Sequence, residues 1–323
     1  MTAVDVAHLV KRYRGARRNA VDDISFDVPE GQLFCLLGPN GAGKTTTVSV
    51  LTTTLAPTSG RVLIAGRDLA TEQAKVRREI GIVFQQPSLD LNLSAEENIR
   101  LHAVLYGLYP WRPSYRLMPA GYRSQVQELA GVLGLSDFLG QRARVLSGGL
   151  RRRLEIVRAL MHQPGVLFLD EPTAGLDPES RRSLWAYLRQ ARAAFGTTVF
   201  LTTHYLEEAE AADAVCVLAG GRIIERGSPA EVKARQLSPE LVLDARDRAA
   251  LIRELGALGL RINAGAPSAR GEPSDQSGPL RVPLNGRSAQ SIIAAIEAEL
   301  TRFQIAEPTL EDAYLQLLER ARP

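Results

Sequence analysis

Cysteine is scarce in this sequence, which has only Cys35 and Cys216 among 323 residues. Each lies in an apolar run, so we expect two buried, reduced thiols rather than a disulfide or a structural metal site. No apolar stretch approaches the ~18 residues of a membrane-spanning helix, and the start at Met1 lacks the features of a signal peptide. We therefore expect the chain to stay in the cytosol unless a partner holds it at a membrane.

Charge of one sign is also lacking, because 39 basic and 36 acidic side chains are interspersed and the net charge is only +3. This balance does not indicate a nucleic-acid partner. The basic run Arg151–Arg153 is accordingly interpreted as a solvated helix face. An apolar content of 45% can supply cores for one large domain and a smaller companion.

Short apolar runs bounded by Gly, Pro or charged residues predict an α/β core with buried parallel strands. These runs are Leu33–Leu37, Val166–Leu169 and Thr198–Leu201. Three other runs alternate in polarity and predict an antiparallel edge sheet. They are Val4–Leu9, Asp23–Val28 and Arg61–Ala65.

A helical lobe is predicted over about residues 87–162, with a capping box at Ser94–Glu97 and another helix at Gln125–Leu133. Within it, Tyr109–Gly121 has no clear period and indicates an irregular surface segment. We expect one large domain over residues 1–234 and a separate C-terminal domain over residues 235–323.

The C-terminal domain has a βαββαβ pattern, which favours a small α+β ferredoxin-like sandwich. The predicted strands are Leu241–Ala245, Leu260–Asn263, Leu280–Leu284 and Phe303–Ala306. The predicted helices are Arg248–Leu258, Ser288–Leu300 and the final Thr309–Arg320. Gly265–Pro279 is rich in Pro, Ser and Gly and is expected to be a mobile loop.

A glycine-rich loop follows the strand at Leu33–Leu37 and precedes a predicted helix at Thr46–Leu55. Its spacing is that of a phosphate-binding loop (P-loop), in which backbone N–H groups and the helix N-terminus hold phosphate oxygens. In that arrangement Lys44 reaches the β- and γ-phosphates of a bound nucleotide, ATP or GTP, and the Thr45 hydroxyl binds Mg²⁺. The candidate loop residues are Gly38, Pro39, Asn40, Gly41, Ala42, Gly43, Lys44, Thr45 and Thr46.

Asp170 and Glu171 follow a buried strand, at the end of the strand where α/β sheets present ligand-binding groups. Asp170 is the candidate metal ligand. Glu171 is placed to orient or deprotonate a water that attacks the γ-phosphorus, which indicates hydrolysis. The alternative is an acidic pair that caps a helix before Pro172.

The tetrapeptide Leu146–Gly149 stands at a predicted helix start shortly before the Asp-Glu strand, and here residues 4–230 resemble the ATP-binding cassette (ABC) superfamily. Ser147, Gly148 and Gly149 would form a second anion site. Because the chain already has a phosphate loop, this second site is expected to serve another molecule's nucleotide. The resemblance implies a head-to-tail dimer of two copies, with each ATP between the loop of one copy and the signature of the other.

The resemblance also implies roles for four other residues. Gln85 corresponds to the glutamine that touches the metal or water, and His204 to the histidine that contacts the γ-phosphate. Asp177 corresponds to the aspartate at the dimer interface, and Tyr13 to the aromatic that stacks on adenine. A capping role for His204 and an ordinary edge-strand role for Tyr13 stay open. Leu150 replaces the usual glutamine of the signature.

Two kinds of ABC protein are compatible with these motifs: the ATPase subunit of a transporter, and a soluble ATPase that acts on nucleic acid or ribosomes. A single cassette, the lack of a long coiled coil and the lack of cysteine clusters favour transport.

Three segments resemble the drug-resistance (daunorubicin/doxorubicin type) and nodulation-type ABC-2 exporter ATPases. They are Gly38–Thr47, Leu150–Leu154 and Glu307–Tyr314. This resemblance implies a homodimer at the cytoplasmic face of the membrane that drives a separate polytopic permease for drug, antibiotic, lipid or polysaccharide export. The permease is expected to dock near Gln85–Leu93. The C-terminal domain is expected to regulate or dock, or only to stabilise the chain.

Overall fold

The computed structural model describes residues 1–262 and 279–321. The chain divides into two compact units, Met1–Ser228 and Pro229–Pro323. No helix within the described residues combines the length and the apolar character that crossing a bilayer requires.

The first unit contains ten strands and seven α-helices. The strands are β1 (Thr2–Lys11), β2 (Val21–Pro29), β3 (Leu33–Leu37), β4 (Ser59–Ile64), β5 (Arg67–Asp68), β6 (Ile80–Val83), β7 (Val166–Asp170), β8 (Thr198–Thr203), β9 (Ala214–Ala219) and β10 (Arg222–Gly227). The helices are α1 (Lys44–Leu51), α2 (Gln73–Glu79), α3 (Ala95–Leu105), α4 (Ala120–Val132), α5 (Gly148–Leu160), α6 (Pro178–Phe195) and α7 (Leu206–Glu210).

The main sheet has the strand order β10-β9-β3-β8-β7-β6. The strands from β9 to β6 are parallel, and β10 pairs antiparallel with β9. Every residue of β3, β7 and β8 is buried, as expected for strands covered on both faces. The predicted α/β core is therefore confirmed, and the carboxyl ends of β3, β7 and β8 meet at one edge of the sheet.

The second sheet of this unit is antiparallel, with the order β2-β1-β4-β5, as predicted. It packs on the main sheet through aromatic rings. The ring of Phe34 lies 5.4 Å from that of Phe26 in the edge sheet and 5.0 Å from that of Phe200 in β8. Cys35 and Cys216 are buried and unpaired in neighbouring strands of the main sheet.

The segment predicted as a helical lobe contains α3, α4 and α5. The Ser94 hydroxyl accepts from Glu97 N and the Glu97 carboxylate accepts from Ser94 N, so the predicted capping box is present at the start of α3. Helix α4 begins at Ala120, five residues before the predicted start. The irregular segment before it packs Tyr109 and Tyr115 edge-on against the buried Tyr122 ring, with centroids 5.4 and 6.2 Å away.

The helix after the glycine-rich loop spans Lys44–Leu51, whereas the sequence predicted Thr46–Leu55. It ends early because Thr53, directly after the C-cap residue Thr52, takes a left-handed φ of +61°. A β-branched residue at positive φ cannot continue a right-handed helix.

The second unit contains α8 (Pro229–Gln236), β11 (Glu240–Ala245), α9 (Arg248–Ala257), β12 (Leu280–Pro283), α10 (Ala289–Ala294), β13 (Leu300–Ala306) and α11 (Leu310–Arg320). Its antiparallel sheet has the order β12-β11-β13. In a ferredoxin-like βαββαβ sheet the first strand lies between the third and the fourth and is antiparallel to both. Here β11 takes the place of the first strand, β12 that of the third and β13 that of the fourth. Leu241, Leu243, Leu251 and Leu255 form the centre of its core.

Several boundaries in this unit differ from the sequence expectation, and β13 begins at Leu300 instead of Phe303. The second predicted strand, Leu260–Asn263, is not formed over Leu260–Ile262. Its last residue, Asn263, lies outside the described part of the chain, and so do residues 265–278 of the predicted loop. Helix α10 ends at Ala294, because the Glu254 carboxylate accepts from Glu297 N at 3.0 Å and Ala298 N at 3.2 Å. Helix α8 packs on α11 and so falls in the second unit, although the predicted domain boundary followed residue 234.

Candidate nucleotide-binding site

The glycine-rich loop connects the buried end of β3 to the N-terminus of α1. Gly43 has a φ of +107°, and a Cβ atom there would lie 2.4 Å from Ala20 O, so only glycine fits. The Lys44 side chain is 4% exposed, and its Nζ atom donates to Gly38 O at 2.7 Å and Pro39 O at 3.2 Å. A loop that places backbone N–H groups, a helix N-terminus and a lysine around one space suits phosphate groups.

Asp170 ends β7 beside the loop. Its Oδ1 atom accepts from Thr202 Oγ1 at 2.5 Å and lies 3.5 Å from Thr45 Oγ1. The structure therefore brings together two of the predicted metal ligands, Thr45 and Asp170. A carboxylate and a hydroxyl oxygen at the edge of a phosphate site are the kind of donors that Mg²⁺ takes from a protein.

The Glu171 carboxylate joins three other predicted residues. Its Oε1 atom lies 3.4 Å from Lys44 Nζ and 3.4 Å from His204 Nδ1, the latter without hydrogen-bond geometry. Its Oε2 atom accepts from Gln85 Nε2 at 3.2 Å. All four candidate catalytic residues thus meet at one carboxylate, although they come from four separate segments of the chain.

The backbone of Glu171 is also unusual, with a left-handed φ of +44°. Its N–H group donates to Thr202 Oγ1 at 3.0 Å, which holds the turn after β7 in this conformation. A non-glycine residue at positive φ carries strain, and such strain is concentrated at functional sites. Thr202 is not among the residues predicted from the sequence, although polar residues at the end of a buried parallel strand are a usable signal.

These groups surround a pocket of about 490 Å³. The lining consists of Ala20, Asn40, Gly41, Gly43, Lys44, Thr45, Thr46, Gln85, Glu171, Ala174 and His204. No sequence pattern pointed to Ala20 or Ala174, because an alanine side chain has no functional group and these residues line the pocket only through where they lie. Tyr13 does not line the pocket, but its hydroxyl lies 3.3 Å from that of Thr46, and its side chain is half exposed.

The signature residues lie outside this pocket lining. Ser147 caps α5 by accepting from Leu150 N at 3.3 Å, and both Ser147 and Gly148 are exposed. Asp177 caps α6 by accepting from Ser180 N at 2.9 Å, and hydrogen bonds from Ser180 lower the pKa of its carboxyl group. Within this chain, therefore, Ser147, Gly148, Gly149 and Asp177 form two helix starts and do not contribute to the pocket.

The interpretation of Arg151–Arg153 as a solvated face is wrong for Arg152, whose side chain is only 6% exposed. It lies on the face of α5 that also carries the buried Glu155, Ile156 and Ala159. Helical spacing of i, i+3, i+4 and i+7 could have shown this. The charge of the run led to the opposite interpretation.

Comparison with known proteins identifies the family. Residues 21–174 match the family model described as ABC transporter. Over 98% of this chain and 92% of the relative, the sequence is 38% identical to the daunorubicin/doxorubicin resistance ATP-binding protein DrrA of Streptomyces peucetius. The chain belongs to the ABC transporter family. It is accordingly an ATP-binding and ATP-hydrolysing cassette protein.

Other relatives agree with this assignment. The Nod factor export ATP-binding protein I of Ralstonia nicotianae is 34% identical over 98% of this chain and 94% of its own length. A solved dimeric ATP-binding cassette in a post-hydrolysis state, bound to ADP and Pi, superposes on this ABC protein with a TM-score of 0.61. The two are 27% identical over 70% of this chain and 98% of that one.

Proposed function

We propose that this ABC protein is the ATP-hydrolysing subunit of an exporter and that it powers a separate polytopic membrane permease. The observation that carries the proposal is the convergence of Lys44, Gln85 and His204 on the Glu171 carboxylate beside the phosphate loop. The relatives that match nearly the whole chain are named for drug resistance and for Nod factor export, which supports export as the work done.

For ATP hydrolysis, we assign the phosphates to the loop from Gly38 to Thr46 and the adenine to Tyr13. Mg²⁺ would be held by Thr45, Asp170 and Gln85, and when bound it neutralises phosphate charge. Glu171 accepts a proton from, or orients, the water that attacks the γ-phosphorus, and the products are ADP and phosphate. His204 contacts the γ-phosphate.

The working unit is proposed to be a head-to-tail dimer. Ser147, Gly148, Gly149 and Asp177 lie away from the pocket of their own chain, with Ser147 and Gly148 at the surface. Their helix starts are therefore free to face the nucleotide held by a second copy. The dimeric solved cassette described above supports this arrangement.

The permease is proposed to hold the dimer at the cytoplasmic face of the membrane and to dock near Gln85–Leu93. Leu91 is exposed in this segment, and Gln85 connects it to Glu171. Drugs, antibiotics, lipids or polysaccharides are the proposed substrate classes. The matched relatives do not favour a soluble ATPase that acts on nucleic acid or ribosomes, and no nucleic-acid partner is proposed.

The proposal is tested by isolating the tagged chain from membranes of its host in mild detergent. We expect a polytopic protein to co-purify and to stimulate ATP hydrolysis. Leu91→Glu should lose this partner, whereas Leu117→Glu, at another exposed leucine of the lobe, should keep it. Recovery with ribosomes or DNA, and no membrane protein, would instead support the soluble class.

A further inference from the structure

Arg152 is a buried guanidinium on the second turn of α5. Its Nε atom donates to Pro172 O at 2.9 Å, and its Nη2 atom donates to Asp170 O at 3.0 Å and Glu171 O at 3.4 Å. Its Nη1 atom donates to Phe84 O. One side chain thus binds the backbone on both sides of Glu171 and the carbonyl directly before Gln85.

Glu155 completes the arrangement one turn further along α5. Its Oε2 atom accepts from Arg152 Nη1 at 3.0 Å, and its Oε1 atom accepts from Ser88 N at 2.8 Å. Arg158 Nη1 donates to Ser88 O at 2.8 Å. The segment from Phe84 to Ser88, which contains Gln85, is therefore fastened to α5 at both ends.

A buried ion pair of this kind is a poor way to gain stability. Burial lowers the pKa of the Arg152 guanidinium, with the Glu155 and Asp170 carboxylates opposing this effect. Removing two charges from water costs about as much as their attraction returns, so the ion pair by itself adds little net stability. The fork of five N–H donors instead suits the fixing of several carbonyl groups in defined positions.

The helix that carries this pair begins at the signature. Ser147 caps α5, and Arg152 and Glu155 follow on the same helix. Gln85 and Glu171, which the pair positions, belong to the pocket of the same chain. Under the proposed dimer, α5 therefore has one end at the partner's nucleotide and its side chains at the catalytic groups of its own site.

We propose that Arg152, with Glu155, is a positioning residue that sets Gln85 and Glu171 relative to the signature helix and so connects the two ATP sites of the dimer. This inference rests on the proposed head-to-tail dimer. When Ser147 engages the partner's nucleotide, any shift of α5 is carried by Arg152 to the carbonyl groups of Phe84 and Glu171. Each site then becomes competent for hydrolysis when the signature of its own chain is engaged.

The test uses mixed dimers of two differently tagged chains, one wild type and the other carrying Glu171→Gln, which retains ATP so that the signature of the wild-type chain stays engaged. Only the site built from the loop and Glu171 of the wild-type chain can turn over. Arg152→Lys keeps the charge but removes the fork, and it is placed either in the chain with intact Glu171 or in the Glu171→Gln chain. The matched control is Arg153→Lys, whose guanidinium contacts Gly134 O at 3.4 Å and the Tyr187 ring at 4.7 Å instead.

We expect kcat to fall about 10- to 100-fold when Arg152→Lys is in the chain with intact Glu171, since misplacing a catalytic group by about 1 Å has this effect. The KM for ATP should change less than about twofold, and the same substitution in the Glu171→Gln chain should have little effect. The control should leave both arms unchanged. Should Arg152→Lys not fold, the neutral pair Arg152→Gln with Glu155→Gln replaces it, since it leaves no unpaired charge.

Equal losses in both arms, or a rise in KM without a fall in kcat, would overturn the inference. In that case Arg152 is a brace for the fold only. The mixed dimer without any Arg152 substitution is the parent measurement. It distinguishes failure of the Arg152 inference from failure of the proposed dimer. If that parent dimer shows no turnover, the proposed head-to-tail function fails instead.

Discussion

At the scale of single residues, the two oxygens of Glu171 have different neighbours. Oε1 lies between the cationic Lys44 Nζ and His204 Nδ1, and Oε2 accepts from Gln85. The two oxygens have different neighbours, and these neighbours come from different segments of the chain. The plane of the carboxylate is therefore fixed. A carboxylate held in this way is suited to accept a proton from a water in one direction only.

Glu171→Gln should therefore separate ATP binding from ATP turnover. The amide keeps the shape and a partner for Gln85, but it cannot accept the proton. We expect kcat to fall about 100-fold or more, with ATP affinity retained and the closed dimer accumulating in light scattering. Glu30→Gln, at an exposed turn, is the control; turnover at the wild-type rate by the Glu171 variant would exclude the assignment.

His102 gives a second prediction at this scale. Burial lowers its pKa from 6.5 to about 3, with the charge of Arg158 as the next cause, and its Nε2 atom has no hydrogen-bond partner among residues 1–262 and 279–321. Its ring packs on Tyr106 at 4.3 Å. The native state thus keeps this imidazole neutral at pH values where the unfolded chain protonates it.

Since the pKa in the folded state is the lower one, the unfolded chain binds the extra proton, and stability should fall as the pH drops from about 6.5 towards 3. His102→Phe should make the urea midpoint less sensitive to pH between 7 and 5. Leu105→Phe, at a side chain of the same helix that is 75% exposed, should leave the wild-type dependence of the urea midpoint on pH. An unchanged slope for the His102 variant would contradict the explanation.

At the scale of elements, α5 and α6 begin side by side. Ser147 caps the first and Asp177 the second, and both helices direct the positive ends of their dipoles towards the same region. A Cβ atom at Gly149 would lie 2.9 Å from Ser180 Oγ, so glycine allows the close packing of these two helix starts. The signature glycine thus has a packing role within its own chain.

Gly149→Ala should consequently be less stable than Gly148→Ala by about 1–3 kcal/mol, the usual cost of overpacking. At Gly148 the added atom would meet Leu176 Cδ2 at 3.5 Å, an ordinary contact. Comparing the two alanines cancels the gain in helix propensity. Urea unfolding measures the difference, and equal stabilities would show that Ser180 moves aside at no cost.

At the scale of the whole molecule, one chain carries one phosphate loop, and its exposed signature start lies outside its own pocket. Two copies in head-to-tail contact would complete two sites. The relation between the copies is then testable without knowing the exported substrate or the permease, because ATP hydrolysis reports on the site directly.

Lys44→Ala and Ser147→Ala chains should each be inactive alone, since a dimer of either has no sound site. A mixed dimer has one intact loop facing one intact signature. We expect about half of the wild-type ATPase rate per mixed dimer if its site works independently, and less if the two sites cooperate. Mixtures that recover no activity would argue against shared sites that work independently of each other.

Local signals predicted much of this protein from its sequence. The apolar runs of β3, β7 and β8, the Ser94 capping box and the glycine-rich loop are each encoded within a few neighbouring residues. Element ends were predicted less well. Helix α10 stops where the distant Glu254 binds the backbone, and no local pattern contains that contact.

The sequence by itself determined the α/β core, the order of the motifs and the residue types around a nucleotide, because these depend on periodicity and on spacing along the chain. Only the tertiary structure decided that Gln85, His204 and Lys44 meet at Glu171, and that Arg152 is buried beneath them. The physical reason is that these contacts join segments far apart in the chain. Their geometry is set by how the strands and helices pack.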